Sequence, residues 1–443
     1  MTIYALSSGP GLSGIAVIRV SGSDTLKVLK NMTYLTIPDP KVASLRKFIN
    51  PKTKEIIDEG ILLWFPGPES YTGEDMAEFH IHGSKAVIEA ISLCISKVNG
   101  CRLAEPGEFT KIAFLNGKIN LLKAESISDL ISSETEIQRQ QAIKIMSGKS
   151  SDKFNSLRER LIKILSNIEA KIDFPEDDLP SDILKNIHLE TKSIKNEIKK
   201  ILSDQNVGEI IREGFKIAIV GPTNAGKSSL LNYLSKRDVA IVSEIAGTTR
   251  DVIEVQLNLD GFPVVISDTA GIREAKDEIE KKGIKLAFER AENADLILIV
   301  IEPKSIDFTD YFKSFEPKKS ILIINKIDLH IEHTNNEIKK YDTVKLSIKK
   351  EKNLDKLILT IKEKLKNKFI SQEDIYITRK RHRNNLEKCV EHLKNFEKKN
   401  SIEDFDKAAE DLRLATRCLG MIVGKVDVEE ILGSIFNDFC IGK

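Results

Sequence analysis

Cysteine is scarce in this 443-residue sequence, and no two cysteines stand at the spacing of a metal-binding pair. The five cysteines are Cys94, Cys101, Cys389, Cys418 and Cys440. The absence of a C-x-x-C pair argues against a structural zinc site and against a framework of disulfides. We therefore expect a protein of a reducing compartment, the cytoplasm.

The sequence also lacks long hydrophobic runs and an excess of charge. Nowhere do about 18 apolar residues run without interruption, and the opening MTIYALSSGPGLSG has no basic stretch before an apolar run. The 68 Lys and Arg residues nearly balance the 67 Asp and Glu residues, so no field of one sign covers the surface. We expect no membrane partner, and a nucleic acid would have to bind a local basic patch.

Three patterns divide the chain. Residues 1–118 mix short β-branched runs with Gly and Pro, as in a small α+β domain. Residues 119–212 and 371–443 show helical periodicity, whereas residues 213–370 alternate apolar strands with amphipathic helices, as in a doubly wound parallel sheet. Helical stretches on both sides of an α/β unit can pack as one domain, with the α/β unit inserted between them.

The helical periodicity is clearest in two stripes. Apolar residues recur every three or four places at Phe154, Leu157, Leu161, Leu165, Ile168 and Ile172, and again at Ile194, Ile198 and Ile201. This spacing places the residues of each stripe on one face of a helix. Two helices with one buried face each are predicted.

The α/β segment begins with a phosphate-binding motif. The apolar run FKIAIV precedes GPTNAGKS at residues 221–228, and a helical pattern follows, which is the order that a P-loop requires. Gly221 and Gly226 let backbone N–H groups approach phosphate oxygens. Lys227 would place a positive charge at the terminal phosphates, and the Ser228 hydroxyl would bind Mg²⁺.

Two further motifs select the base and complete the metal site. In VVISDTAG, Asp268 ends an apolar strand, where its carboxylate can hold Mg²⁺ through water, and the Gly271 N–H faces the last phosphate. In ILIINKID, a carboxylate at Asp328 can accept the ring N–H and the exocyclic amine of guanine, which adenine cannot offer. The motifs predict GTP rather than ATP. In GTTRD, Thr249 could complete the Mg²⁺ shell.

The residues that activate water are less clear from the motifs. Many GTPases place a glutamine after the glycine of the second motif, but this chain has Ile272, which cannot bond to water. Arg250 and Arg273 could act as arginine fingers, and Glu280 could position water. Arg273 and Glu280 could equally begin a solvated helix.

The chain resembles the MnmE (TrmE) family of tRNA-modification GTPases over essentially its whole length. The motifs that carry the resemblance are GPTNAGKSSL, GTTRD, DTAGIRE, PGEFTKIAFLNGK, YTGED and the terminal FCIGK. The resemblance implies an N-terminal folate-binding domain that dimerises, a helical domain and an inserted G domain. It also implies a heterotetramer with an FAD-containing partner, MnmG (GidA), that installs a 5-carboxymethylaminomethyl-type group on wobble uridine of certain tRNAs.

The resemblance assigns a potassium site and a catalytic glutamate. Asn224 would bind K⁺, and the loop around Ser243, Ile245 and Thr248 would complete its coordination. This ion would take the place of an arginine finger, and Glu280 would reach the attacking water through a second water. With the motifs, the predicted GTP site comprises Asn224, Ala225, Gly226, Lys227, Ser228, Ser229, Ser243, Thr248, Thr249, Asp268, Thr269, Ala270, Gly271, Asn325, Lys326 and Asp328.

The resemblance also implies a site for 5-formyltetrahydrofolate, formed by Arg19, Glu78, Lys118 and Lys443. A pterin has guanine-like donors that suit a carboxylate, and the glutamate tail suits Arg or Lys. The residues alone favour plain surface charge at these positions. The chain departs from the family pattern at Ser84, where a second Gly is usual, and at residues 347–349, where SIK replaces S-A-K or S-A-R.

The terminal motif NDFCIGK has three interpretations. A lipid anchor is disfavoured because Gly442 and Lys443 do not fit C-a-a-X. A buried structural thiol would suit the apolar neighbours Ile435, Phe436 and Phe439. The resemblance instead aligns Cys440 with a cysteine required for tRNA modification but not for GTP hydrolysis.

A function from another class also fits the nucleotide motifs. A GTP-switch module could regulate an RNA or ribosome partner without modification chemistry, but it would need neither a folate-like domain nor a terminal cysteine. A dynamin-like membrane protein fits less well, because no strongly basic amphipathic helix is present.

Overall fold

The computed structural model divides into two compact units, each built from segments that are separate in sequence. One comprises Met1–Ile131, Ile145–His188 and Glu391–Lys443, and the other comprises Ser132–Lys144 and Leu189–Val390. The structure describes residues 1–34, 37–173, 181–204, 206–222, 224–237, 254–268, 291–303, 315–329, 336–369, 375–399, 405–426, 432, 435–436 and 439–442. The boundaries of the four segments given above remain predictions.

The N-terminal domain is built on a six-stranded sheet. Its strands are β1 (Thr2–Leu6), β2 (Ser13–Ser21), β3 (Ser44–Ile49), β4 (Ile56–Phe65), β5 (Met76–Gly83) and β6 (Cys101–Leu103), in the order β3-β4-β5-β2-β1-β6. Neighbours run antiparallel except β1 and β6, which are parallel. Helices α1 (Thr25–Met32), α2 (Lys85–Ser96) and α3 (Glu108–Leu115) complete the domain. The predicted α+β class is confirmed.

The two faces of this sheet bury different residues, because side chains alternate along a strand. On β5, Phe79 and Ile81 belong to the main core with residues of α1 and α2. A smaller cluster contains Ile3 and Ala5 of β1 with Phe109 of α3. Alternation therefore turns the even-numbered side chains of β5 away from the main core.

Helices make up the stretches on either side of the α/β segment. They are α4 (Leu121–Ile131), α5 (Glu136–Met146), α6 (Lys149–Asp173), α7 (Ser181–Leu202) and α8 (Val207–Glu213). The second stretch contains α11 (Lys380–Lys398) and α12 (Phe405–Val423). Helices α6 and α12 pack against each other. Among the described residues, no helix has both the length and the low polarity needed to cross a bilayer.

The predicted apolar stripes form as expected, with two differences. On α6, the buried residues include Phe154, Leu157, Leu161, Ile164 and Ile168, and on α7 they include Ile194, Ile198 and Ile201. Leu165 is only half-buried, because the neighbouring Ile164 takes the inward position. Ile172 is also half-buried, near the end of its helix.

The inserted segment forms a second six-stranded sheet. Its strands are β7 (Phe215–Val220), β8 (Glu254–Leu259), β9 (Phe262–Asp268), β10 (Leu296–Ile301), β11 (Ser320–Ile324) and β12 (Asp342–Lys345), in the order β12-β11-β10-β7-β9-β8. Helices α9 (Lys227–Arg237) and α10 (Leu354–Phe369) lie in the same segment. Apolar clusters cover both faces of the sheet, as a parallel sheet requires. The predicted α/β class is confirmed.

One edge of this sheet differs from the predicted all-parallel arrangement. Strand β8 pairs antiparallel with β9, whereas the other pairs are parallel. The turn between β8 and β9 is Asp260–Gly261, and both residues have positive φ, at 51° and 90°. Asp-Gly favours a two-residue hairpin, which joins consecutive strands in antiparallel fashion. This local turn, rather than a crossover helix, sets the direction of β8.

Candidate functional site

The P-loop connects β7 to α9, and its first glycine lies against the neighbouring strand. Gly221 has φ 147°, and a Cβ placed on it would lie 2.1 Å from the backbone oxygen of Val300 on β10. A side chain at Gly221 would therefore push β7 and β10 apart. Gly226 has φ 104°, and a Cβ there would lie 2.3 Å from Nδ2 of Asn325. Both glycines of the motif are required by the packing of the loop.

The P-loop lysine is held by the loop itself. Lys227 Nζ donates to the backbone oxygens of Gly221 at 2.9 Å and Pro222 at 2.8 Å. Ser228 and Ser229 are exposed in the first turn of α9. The ammonium group of Lys227 and the N-terminus of α9 thus lie at the same loop, and this arrangement favours the binding of an anion.

The N-K-x-D motif follows β11 and contacts the P-loop directly. Asn325 Nδ2 donates to the backbone oxygen of Ala225 at 2.8 Å, and its Oδ1 accepts from the Ile348 N–H at 3.1 Å. Lys326 Nζ donates to the backbone oxygen of Asn224 at 2.9 Å and also pairs with Glu302. The two sequence-predicted motifs are therefore one hydrogen-bonded structure.

The carboxylate predicted to read the base is oriented by the SIK loop. Ser347 Oγ donates to Asp328 Oδ1 at 2.7 Å. This hydrogen bond lowers the pKa of Asp328, so the side chain is ionised at neutral pH. The loop that departs from the family pattern thus still contacts the motif, through the Ser347 hydroxyl and the Ile348 N–H.

Asp268 lies at the end of β9, beside the strand that leads into the P-loop. In the register of these parallel strands it pairs with Ile219 of β7. The carboxyl ends of β7, β9 and β11 share one edge of the sheet, where open α/β sheets bind ligands. The side chain of Asp268 lies outside the described residues, as do Ser243, Ile245, Thr248, Thr249, Thr269, Ala270, Gly271 and Glu280.

The N-terminal domain places Arg19 directly opposite Glu78. The two residues are cross-strand partners on β2 and β5. Arg19 donates to Glu78 Oε1 from Nε at 3.0 Å and from Nη2 at 2.7 Å. Both side chains are only 15% exposed. The structure therefore brings two of the predicted folate residues together in one largely enclosed ion pair.

Aromatic rings surround this ion pair. The Arg19 guanidinium carbon lies 5.6 Å from the centre of the Tyr71 ring and 5.7 Å from that of Phe109. Tyr71 Oη and Thr110 Oγ1 are 2.9 Å apart. Burial raises the pKa of Tyr71, so its phenol stays neutral and can donate a hydrogen bond. A flat ring with polar edges would find stacking surfaces and charged groups here.

Lys118 contacts the loop that carries Tyr71. Its Nζ donates to the backbone oxygen of Pro68 at 2.8 Å, and its side chain borders Gly73. Ser84, the other departure from the family pattern, has an extended backbone at φ −81° and caps α2 by accepting from the Val87 N–H at 3.2 Å. Its conformation does not require glycine.

The carboxyl-terminal segment lies against the N-terminal domain. Ile441 forms a bridge with Pro106, the Cys440 backbone oxygen accepts from the Gly107 N–H at 3.4 Å, and Ser7 Oγ donates to the Gly442 oxygen at 2.8 Å. Gly442 has φ 99°, and a Cβ on it would lie 2.2 Å from the Leu6 oxygen. Lys443 lies outside the described residues.

The Cys440 side chain is exposed, whereas Ile435, Phe436 and Phe439 are buried. Its aromatic neighbours, and not the thiol, therefore anchor the segment. The interpretation of Cys440 as a buried packing residue is wrong. Gly107, which bonds to the Cys440 carbonyl, comes directly before α3, and α3 supplies Phe109 beside Arg19.

Several contacting residues were not identified from the sequence. They are Tyr71, Phe109 and Thr110 around Arg19, and Glu302 beside Lys326. The first three lie within the motifs YTGED and PGEFT, so these motifs already marked the segments that contact Arg19. Their roles depend on the side-chain neighbours that the fold creates. Glu302 comes from the end of β10, and no motif marks it.

Comparison with known proteins gives matches along the whole chain. A family model described as GTP-binding protein TrmE N-terminus matches residues 2–118, and one described as MnmE helical domain matches residues 121–440. The tRNA modification GTPase MnmE of Pelagibacter ubique (strain HTCC1062) is 71% identical over 443 residues, with all of both chains covered. The protein of the same description from Rickettsia bellii (strain RML369-C) is 44% identical over 446 residues, again with full coverage of both.

Proposed function

The chain belongs to the MnmE family of tRNA modification GTPases, and from that premise we propose a K⁺-dependent GTP hydrolase that modifies tRNA with a partner. The partner is an FAD-containing protein of the MnmG (GidA) type, in a heterotetramer with a homodimer of this chain. Together they install a 5-carboxymethylaminomethyl-type group on wobble uridine of certain tRNAs in the cytoplasm.

One observation supports this proposal most directly. The exposed Cys440 is carried by a segment that lies on the same domain as the Arg19–Glu78 ion pair, and the Gly107 N–H bonds to its backbone. A GTP switch without modification chemistry has no use for an exposed thiol on the domain that carries a site suited to a pterin. Cys440 therefore acts in the modification reaction and not in GTP hydrolysis.

The GTP site uses charge and geometry that the described residues supply. Lys227 binds the terminal phosphates in place of the carbonyls that now hold it, and Asp328 accepts both guanine donors. Ser228 and Thr249 would hold Mg²⁺, and Asp268 would bind it through water. Bound Mg²⁺ neutralises charge on the phosphates.

The loop between β7 and α9 also supplies the potassium ligand. Asn224 has φ 64°, a left-handed conformation that turns its carbonyl toward Lys326, and its side chain is exposed. An amide oxygen is a suitable ligand for an alkali cation. In the proposal Asn224 binds K⁺ with Ser243, Ile245 and Thr248, and Glu280 positions the attacking water.

The N-terminal domain binds 5-formyltetrahydrofolate in the same proposal. Glu78 accepts hydrogen bonds from the pterin, with Arg19 beside it at the same end of the ligand, while Lys118 and Lys443 attract the carboxylates of the glutamate tail. Binding requires the ligand to replace the hydrogen bonds that Arg19 and Glu78 now make with each other. The ring faces of Tyr71 and Phe109 can stack on the pterin.

Mass spectrometry of wobble nucleosides tests the proposal. Cells that lack this protein should lose the 5-carboxymethylaminomethyl-type nucleoside, and cells complemented with the full chain should regain it. Unchanged nucleosides would contradict the proposal and favour the GTP switch that regulates an RNA or ribosome partner.

A further inference from the structure

A groove of about 1060 Å³ lies in the first compact unit, and its lining includes neither Arg19 nor Glu78. The end of α3, the start of α4, the turn between α5 and α6, and the end of α12 enclose it. Its volume is at the upper limit of ordinary small-molecule pockets, which hold about 300–1,000 Å³. The groove therefore has room for a ligand at the large end of that range.

Four exposed cations line the groove. They are Lys118, Lys123, Arg417 and Lys425, and no acidic residue is among the described residues of the lining. A carboxylate nearby, Asp152, lies 3.9 Å from the position of a Cβ on Gly148, at the groove wall. Since the whole chain carries a net charge of only +1, this is a local concentration of positive charge. It is the kind of patch that a polyanion requires of a nearly neutral protein.

The groove also offers apolar surface between the cations. Leu115, Met146, Met421 and Leu432 are part of its lining. Leu115 is 62% exposed, so its apolar side chain is accessible to a ligand in the groove. Cations next to apolar side chains are what a single strand of nucleic acid uses, since its phosphates pair with the former and its unstacked bases contact the latter.

The groove adjoins the packing that holds the carboxyl-terminal segment. Phe114, Ile119 and Leu432 line it, and the same residues pack in a cluster with Phe436 and Phe439. Gly424 fixes this junction, because a Cβ on it would lie 2.7 Å from Phe114 and 2.8 Å from Leu121. A ligand in the groove would thus lie beside the segment that carries Cys440.

We propose that this groove binds the single-stranded anticodon loop of the tRNA substrate. The inference rests on the proposed function, which requires a wobble nucleotide near Cys440. Lys123, Arg417 and Lys425 pair with phosphates, while Met146 and Met421 contact bases turned out of the stack. Lys118 lies where the groove and the folate site meet.

The binding of a labelled RNA tests the groove. The triple variant Lys123→Glu, Arg417→Glu, Lys425→Glu of the full chain is compared with wild type by fluorescence anisotropy, using an anticodon stem-loop RNA in 50–200 mM salt. We expect affinity to fall by about tenfold or more. We also expect the slope of log affinity against log salt to flatten by about 2, since each single-strand phosphate contact contributes about 0.7.

A matched control separates the groove from general charge effects. Lys30→Glu, Lys97→Glu and Lys163→Glu make the same charge change at exposed positions of the same unit, outside the lining. The control should bind RNA with nearly wild-type affinity, and GTP hydrolysis by both variants checks that each is folded. Photo-crosslinking of 4-thiouridine at the wobble position should label peptides from residues 114–123, 146–155 or 417–426.

Four results would overturn the groove proposal. In the first, the wild-type protein does not bind the RNA, and in the second, the groove variant binds it as tightly as wild type does. In the third, the control variant loses as much affinity as the groove variant. In the fourth, the groove binds oligo-glutamate in the same assay but does not bind RNA. Groove-dependent RNA binding, together with unchanged wobble nucleosides in cells without the protein, would support the groove and reject the proposed modification function. The two proposals can therefore fail separately.

Discussion

Asn325 ties the base-recognition strand to the phosphate loop, because its Nδ2 donates to the backbone oxygen of Ala225 at 2.8 Å. The same side chain accepts from the Ile348 N–H, and it is only 3% exposed. One buried amide thus joins three segments that are far apart in sequence. A residue expected from its motif to serve the base has a structural role as well.

Asn325→Ala should reduce both stability and GTP affinity. The change removes two hydrogen bonds and leaves a buried carbonyl and N–H unpaired, at a cost of about 1–3 kcal/mol. Thermal unfolding and GTP titration measure the two effects. Asn385→Ala is the control, since it removes a bond to the Arg381 oxygen in the same unit. It should lower Tm while GTP affinity stays at the wild-type value, and a loss of affinity there would contradict the assignment.

GTP hydrolysis should be much faster in K⁺ than in Na⁺. Cavity size and number of ligands decide which cation a site prefers, and the loop around Asn224 is proposed to suit the larger ion. Initial rates in matched chloride salts measure the effect, and Asn224→Ala should remove most of the difference. Equal rates of the wild-type protein in the two salts would refute the potassium site.

Glu280→Ala should lower kcat by about a hundredfold or more while GTP affinity stays nearly unchanged. A residue that positions water acts mainly in the transition state, so its loss affects rate more than binding. Single-turnover hydrolysis and nucleotide titration separate the two quantities. The exposed Glu292, further along the chain, provides the control Glu292→Ala, which should keep the wild-type rate. Parallel loss of rate and affinity would instead indicate damage to the fold of the loop.

Cys440→Ser should abolish wobble modification in vivo and leave K⁺-stimulated GTP hydrolysis and Tm near wild type. The reason is that the thiol is exposed while its aromatic neighbours hold the segment. Cys94→Ser is the contrasting variant, because Cys94 is buried in the N-terminal core. A hydroxyl without a partner there should cost about 1–3 kcal/mol. A drop in Tm for Cys440→Ser, with both activities lost, would restore the packing interpretation.

Arg383→Ala should strongly destabilise the protein. Arg383 bonds to Glu209 Oε1 at 2.7 Å and Oε2 at 2.8 Å, and to Asp204 Oδ1 at 2.5 Å. Burial opposes its charge, but the hydrogen bonds that Arg383 donates to Glu209 and Asp204 outweigh burial and raise its pKa. Removing the cation leaves two buried carboxylates unpaired, which typically costs about 3–5 kcal/mol.

Denaturant unfolding measures the cost of losing Arg383. Arg413→Ala is the matched control, since Arg413 pairs with Glu169 and Glu410 while half of its side chain is exposed. The control should leave Tm almost unchanged, because solvent screens exposed pairs. If the two variants have similar free energies of unfolding, the buried ion pairs of Arg383 do not stabilise the fold in the way that their burial indicates.

Local patterns determined much of the fold. The P-loop and N-K-x-D motifs were recognisable because their chemistry needs fixed spacings, and the helical stripes because burial repeats with the helical period. The direction of β8 differs from the general rule for α/β sheets, because its Asp-Gly turn forms a hairpin and so replaces the crossover connection that a parallel strand needs. Ile164 is buried and Leu165 is not, because the packing of α6 against α12 determines which of these two adjacent side chains faces inward.

The sequence by itself determined the family, the nucleotide motifs and the class of each domain, because these depend on residue type and spacing along the chain. Only the tertiary structure decided which side chains meet. It placed Arg19 against Glu78 and next to two aromatic rings, and it turned Asn325 toward the phosphate loop. It also left the Cys440 thiol exposed, on a segment whose backbone accepts a hydrogen bond from Gly107. Such contacts join residues from about 50 to more than 300 positions apart, so no periodicity along the chain encodes them.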